Sequence, residues 1–83
     1  MKVRVKYFAS IREAIGTGSE TVETCATSCG ALRDELIARG GAHAEALARG
    51  KSVRVALDQA MTTDEAALVE GAEVAFFPPV TGG

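Results

Sequence analysis

The last eight residues of the sequence, FFPPVTGG, contain the groups best suited to chemistry. Pro78 and Pro79 cannot donate a backbone hydrogen bond, and their fixed φ favours a stiff, extended segment after the last strand. Gly82 and Gly83 have no Cβ, so their backbone could enter a channel too narrow for other residues. We therefore expect residues 78–83 to form a reactive tail that presents the α-carboxylate of Gly83 to a partner protein.

The carboxylate of Gly83 would be ionised at neutral pH, because α-carboxyl groups titrate near about pH 3.5. Resonance and negative charge both discourage attack at its carbon, so it needs activation, most simply as an acyl-adenylate formed from ATP. Glycine suits that step because it has no stereocentre to racemise. An amine could then capture the acyl group, giving protein conjugation, or sulfide could capture it, giving a thiocarboxylate. An inert, frayed terminus also stays open.

Other reactive side chains give weaker signals. A structural zinc site needs four ligands, and Cys25, Cys29 and His43 supply at most three. Two cysteines cannot supply the four thiolates of an iron–sulfur cluster. We interpret the cysteines as small, partly buried side chains and His43 as an exposed helix residue. Scattered carboxylates and one histidine offer no convincing acid–base pair, and we predict no metal site.

Composition limits the partners. A chain of 83 residues suits one domain, with 47% hydrophobic and 24% charged residues. The net charge of −2 argues against nucleic acid, which requires clustered Lys and Arg. No apolar run is long enough to cross a membrane, and the alternating start MKVRVK reads as a strand and not a signal peptide. We expect a cytoplasmic protein.

Hydrophobic alternation predicts the strands that position the tail. Strands are expected at about 2–8, 19–26 (at an edge), 53–57, 60–61 and 74–77, with a turn at Asp58-Gln59.

Helices are predicted at 11–15, 29–39 and 42–49. Ser10 to Glu13 matches a capping box for the first, and Gly16 should end it. Thr27-Ser28 should cap the second, whose core stripe is Cys29, Leu32 and Leu36, and Gly40-Gly41 should end it. Residues 64–69 are ambiguous and could form one helical turn.

This order predicts an α+β fold in which a mixed sheet packs around one main helix, and the β-grasp fits it. The domain is expected to span 1–77 and the flexible tail 78–83. If Val74 and Phe76 face the core, then Phe8 and Phe77 face outward beside the tail, and Met61 could join them. We predict these three as a partner interface, although they could instead complete a small core.

Charged residues carry weaker predictions. Arg12, Lys51 and Arg54 could pair with acidic groups of a partner, but a solvated surface role is the simpler interpretation.

Two stretches resemble the molybdopterin synthase small-subunit family of ubiquitin-like sulfur carriers. They are GAEVAFFPPVTGG at 71–83 and VKYFASIREAIG at 5–16. The likeness extends over essentially the whole chain, and the tail is its most specific part. The departures lie in the middle: cysteines at 25 and 29, and Asp58 where relatives often carry Asn.

The resemblance implies a ubiquitin-like β-grasp protein whose Gly83 is adenylated by an E1-like enzyme using ATP and magnesium. A sulfur donor protein would then supply the thiocarboxylate. The tail would thread into a pocket of the large synthase subunit and give its sulfur to cyclic pyranopterin monophosphate, within a heterotetramer. This chain would bind no cofactor, and acid–base groups would belong to the large subunit. The threading residues would be Pro78, Pro79, Val80, Thr81 and Gly82.

Three rival functions stay open. The chain could be a ubiquitin-like modifier joined through Gly83 to lysines of target proteins. It could deliver sulfur to another thiolation pathway, such as that of thiamine or a tRNA. It could also be a plain binding module with an inert tail.

Overall fold

The computed structural model describes residues 1–79. Five strands and three helices follow one another along this part of the chain. They are β1 (Lys2–Tyr7), α1 (Ala9–Ile15), β2 (Ser19–Glu23), α2 (Cys29–Ala38), α3 (Gly41–Leu47), β3 (Arg54–Leu57), β4 (Ala60–Thr62) and β5 (Glu73–Phe77).

The strands form one mixed sheet in the order β2-β1-β5-β3-β4. β5 lies in its centre, parallel to β1 and antiparallel to β3, whereas β1 pairs with β2 and β3 pairs with β4 in antiparallel fashion. The last strand along the chain is therefore held on both edges. This pairing fixes the point at which the C-terminal segment leaves the domain.

One face of the sheet packs against the helices. Val74 and Phe76 of β5 are 0% and 1% exposed, as their alternation predicts, and they belong to the same buried cluster as the stripe of α2. That stripe, Cys29, Leu32 and Leu36, is fully buried. The α+β fold and the β-grasp arrangement predicted from the sequence are confirmed. Within residues 1–79, no helix is long and apolar enough to span a bilayer.

The capping box predicted at Ser10 is wrong. The first helix begins earlier, at Ala9, and Phe8 occupies its N-cap position with no side-chain hydrogen bond. The amide of Phe8 still extends the β1–β5 ladder by donating to the carbonyl of Phe76 at 3.1 Å. The chain then turns abruptly at Ala9, where φ is 51°, so Ser10 already lies inside the helix.

Other boundaries differ by a few residues. β2 ends at Glu23 and not at 26, because Thr24 turns the chain by accepting a hydrogen bond from the Ala26 amide on its hydroxyl. Gly41 begins α3 instead of ending α2. Residues 64–69 form a turn and a single bridge between Ala67 and Ser28, with no helix. The division between a domain at 1–77 and a tail at 78–83 stays a prediction.

Candidate functional site

The predicted reactive tail leaves the sheet at the end of its central strand. β5 ends at Phe77, and Pro78 and Pro79 follow it, both half-buried, outside any helix or strand. Val80, Thr81, Gly82 and Gly83 lie outside the described residues. The roles predicted for them therefore stay predictions, and the structure describes the surface from which they depart.

On the sheet face opposite the helices, which we call the open face, two aromatic side chains meet beside the exit. The rings of Phe8 and Phe77 contact edge to face, with centroids 6.1 Å apart. Phe8 is 46% exposed, so it does not complete the core. Arg54 lies directly across from Phe77 in the β3–β5 register and is exposed.

Met61 lies on the same open face, two strands from β5. It pairs with Ala56, which pairs in turn with Ala75. Met61 is 56% exposed, while the two alanines are nearly covered. The three residues predicted as an interface thus share one face, with Phe8 and Phe77 in contact and Met61 across a floor of small side chains.

A groove lies on the other side of the exit, between α1 and α3. We call it the exit groove; its volume is about 420 Å³. Its walls are Ile11 and Ala14 of α1, Ala46 of α3, the 51–53 segment, and the two prolines at 78 and 79. Ile11 and Ala46 are buried, whereas Ala14 and Lys51 are exposed at its rim. The exit is therefore flanked by apolar surface on two sides.

Sequence reasoning missed a half-buried polar cluster at the edge of the sheet. The carboxylate of Glu20 accepts hydrogen bonds from Tyr7 Oη at 2.7 Å, an Arg39 guanidinium nitrogen at 2.8 Å and His43 Nε2 at 3.0 Å. Since a carboxylate only accepts, Nε2 must carry the hydrogen. His43 also packs edge to face on Tyr7, so the prediction of an exposed helix residue is wrong.

The electrostatics of this cluster are set by Glu20. Burial alone would raise the pKa of its carboxyl, but hydrogen bonds from Arg39, His43 and Tyr7 outweigh that and lower the pKa to about 2. Burial raises the pKa of Tyr7 well above its ordinary value, so its phenol stays neutral and donates. Glu20 shares the inward parity of Val22 on β2, which was the available signal. These groups hold α3 to the sheet.

Arg33 is a second missed residue. It is 5% exposed, and its guanidinium donates to the carbonyls of Leu47, Ala48 and Lys51 at 2.7, 2.7 and 3.1 Å. Its position four residues after Cys29 puts it on the core stripe of α2, which the sequence did show. The side chain secures the connection from α3 to β3, and therefore one wall of the exit groove.

The remaining candidates are dispersed. Cys29 is buried and Cys25 is exposed, which contradicts the partly buried position predicted for it, and the two form no disulfide. Burial raises the pKa of the Cys29 thiol, so it is unreactive. Arg12 lies against Gly18. Within residues 1–79, no three His, Cys, Asp or Glu side chains are grouped to hold a metal ion.

The fold and the exit together define a class of protein. The mixed β-grasp sheet places the chain among proteins with the ubiquitin-like fold, and solved structures support this. The small archaeal modifier protein 1 of Haloferax volcanii is 25% identical, with 95% of this chain and 98% of that one covered and a TM-score of 0.76. A putative molybdopterin converting factor, subunit 1, from Pyrococcus furiosus is 26% identical, with 96% and 99% covered and a TM-score of 0.78.

The sequence comparisons name the family. The model of the ThiS family matches residues 5–83, and the chain belongs to that family. It is 41% identical to the molybdopterin synthase sulfur carrier subunit of Haemophilus influenzae and 40% identical to that of Escherichia coli. In both cases the match covers 98% of this chain and 99% of the relative. The resemblance noted in the sequence is confirmed.

Proposed function

We propose that this chain is the sulfur carrier subunit of a molybdopterin synthase. The observation that carries the proposal is the identity of about 40% to two such subunits over nearly the full length of both chains. The match to the ThiS family reaches Gly83, the residue on which the chemistry depends. The body of the protein positions a short tail, and the tail carries the reacting group.

The reaction begins at the carboxylate of Gly83. An E1-like enzyme uses ATP and magnesium to form the acyl-adenylate, in which one carboxylate oxygen is joined to the α-phosphorus and pyrophosphate leaves. Sulfide from a donor protein then attacks the acyl carbon, displaces AMP and leaves the thiocarboxylate. The absence of side chains on Gly82 and Gly83 suits passage through narrow channels in both partners.

The loaded carrier next meets the large subunit of the synthase. Its tail enters that subunit's pocket and gives its sulfur to cyclic pyranopterin monophosphate, while the open face docks on the body of the partner. The exposed, touching rings of Phe8 and Phe77 support this surface, since aromatic side chains and Met are enriched at interfaces. Because each tail carries one sulfur, a dithiolene needs two loading events. The complex is a heterotetramer, and it works in the cytoplasm, where ATP is present.

Mass spectrometry of the intact protein tests the proposal. The carrier is incubated with ATP, magnesium, a sulfur source and its activating enzyme, and the mass should rise by the exchange of one oxygen for one sulfur. A variant lacking Gly83 is the matched control and should gain nothing. A variant with uncleaved residues appended after Gly83 should also fail to support molybdopterin synthesis. Full synthesis with that extended chain would refute the proposal.

A ubiquitin-like modifier is the second candidate, favoured by the similarity to the small archaeal modifier protein 1. Both functions use the same adenylate, so they differ only in the group that attacks it. Conjugation would appear in the same mass experiment as high-mass adducts joined to lysines. If adducts form without any thiocarboxylate, the modifier reading replaces the carrier reading.

A further inference from the structure

In the proposed function the reacting group is the carboxylate of Gly83, four residues after Pro79 in the sequence. Four residues in fully extended conformation span at most about 13–14 Å. A partner that acts on the carboxylate of Gly83 inside its own pocket must therefore bring its surface close to Pro79. Pro79 is itself part of the wall of the exit groove. A partner that holds the tail is therefore brought close to both the open face and the exit groove.

We infer that the exit groove is a second docking surface, used together with the open face by the large subunit that receives the tail. The inference rests on the proposed function and adds to it a second contact surface, on the side of the exit opposite the open face. The part of the partner that fits is a protein segment presenting an aliphatic side chain next to a carboxylate. The two features of the groove that select such a segment are its floor and its rim.

The floor is apolar. Buried Ile11 and Ala46 and half-buried Val53 line it, and the small, exposed side chain of Ala14 lies at its entrance. A shallower depression shares Ala14 and Ala46 and continues along α3. An aliphatic side chain seated here would be removed from water on most of its surface, which favours binding in proportion to the apolar area covered.

The rim provides the charge. Lys51 lines both depressions and is exposed, and no ion pair of its side chain occurs within the described residues. Its backbone is fixed, because its amide donates to Ala48 and its carbonyl accepts from Arg33. Lys51 therefore offers a cation beside the groove from a fixed backbone position, and a partner carboxylate paired with it would help to orient the interface.

Binding of full-length carrier variants to the large subunit of molybdopterin synthase from the same organism tests the inference, with the dissociation constant measured by titration calorimetry. Ala14→Trp fills the entrance and Lys51→Glu reverses the charge, and each should weaken binding about tenfold or more. Ala38→Trp, at an exposed alanine of α2, is the matched control and should bind like the wild type.

Each outcome has a distinct meaning. Thermal unfolding verifies that the variants are folded, and if Ala14→Trp fails to fold, Lys51→Glu decides alone because its side chain is exposed. Wild-type affinity in both folded groove variants overturns the inference, even when sulfur transfer proceeds and the proposed function stands. A carrier that binds the large subunit through the groove but never acquires sulfur refutes the proposed function, while the inference about the docking surface stays valid. A wild-type chain that does not bind the large subunit overturns both.

Discussion

At the scale of single residues, two charged side chains do structural work that their types alone do not reveal. Glu20 gathers three donors at the sheet edge, and Arg33 satisfies three backbone carbonyls within the core. Buried polar groups are costly without partners, so each depends on its set being complete. Neither residue takes part in the predicted chemistry of the tail, and both stabilise the folded domain from which the tail leaves.

Replacing Glu20 with Gln should lower the free energy of unfolding by about 1–3 kcal/mol at pH 7, because charge-assisted hydrogen bonds are lost. The pKa of Glu20 is lowered from 4.5 to about 2 in the folded protein, so its stabilisation is complete above pH 4.5 and is lost as the pH falls towards 2. Urea unfolding of both proteins from pH 7 to pH 2 should show the difference shrinking. A difference that is constant across this range would contradict the role of the carboxylate.

Replacing Arg33 with Leu should cost about 2–4 kcal/mol, since the carbonyls of Leu47, Ala48 and Lys51 lose their donors. Arg33→Lys is the informative control, because its single ammonium cannot reproduce the fork of the guanidinium and should recover only part of the loss. The measurement is the midpoint of urea unfolding. Equal midpoints for Arg33→Leu and the wild type would show that these bonds contribute nothing.

At the scale of elements, the hairpin between β3 and β4 shows how the local sequence meets the sheet. Asp58 and Gln59 both have positive φ, 50° and 71°, as a two-residue turn requires for the right-handed twist of its strands. Asp58 also accepts the Glu73 amide on its carboxylate at 3.0 Å, which ties the turn to the start of β5. Asp58 therefore supports the turn that the sequence predicted.

Gln59→Gly should stabilise the protein by about 0.5–1 kcal/mol. The left-handed conformation costs a residue with a Cβ about 1–2 kcal/mol, and the extra entropy of glycine in the unfolded chain takes back about 0.4–1 kcal/mol. Gln59→Ala keeps the Cβ and should give no such gain. Urea unfolding at neutral pH provides the comparison, and a destabilised Gln59→Gly variant would mean that the glutamine side chain stabilises the turn.

At the scale of the whole molecule, the two faces of the sheet have different roles. One face packs on the helices, and the open face carries exposed Phe8 and Met61 beside half-buried Phe77. An 83-residue domain buries only about 60–65% of its unfolded surface, so apolar side chains left in water are a real cost to its stability. That cost is consistent with a surface that becomes covered in a complex.

Phe8→Ser and Phe77→Ser should each weaken binding of the large subunit by about tenfold to a hundredfold, as expected of aromatic residues at the centre of an interface. Phe8→Ser should change stability little, because the ring is nearly half exposed. Val69→Ser is the control, since Val69 is exposed to 60% elsewhere on the molecule. Unchanged affinity in both Phe variants, with the fold intact, would remove the open face from the interface.

The sequence by itself determined the order of the elements, and the tail chemistry that it predicts stays a prediction. Alternation of apolar residues depends only on which side chains face the core, so the strands, the stripe of α2 and the outward direction of Phe8 and Phe77 were predictable. Gly83 was likewise predicted from residue types as the reacting residue, and it lies outside the described residues.

Only the tertiary structure decided which distant groups meet. Ser10 matched a local capping pattern, yet the helix begins at Ala9. It starts directly after Phe8, whose amide continues the ladder between β1 and β5. The partners of Glu20 come from β1, from Arg39 at the C-cap of α2, and from α3, and the exit groove joins α1 and α3 to the C-terminal prolines. Such meetings depend on the register of non-neighbouring strands and on helix packing, which no local pattern encodes.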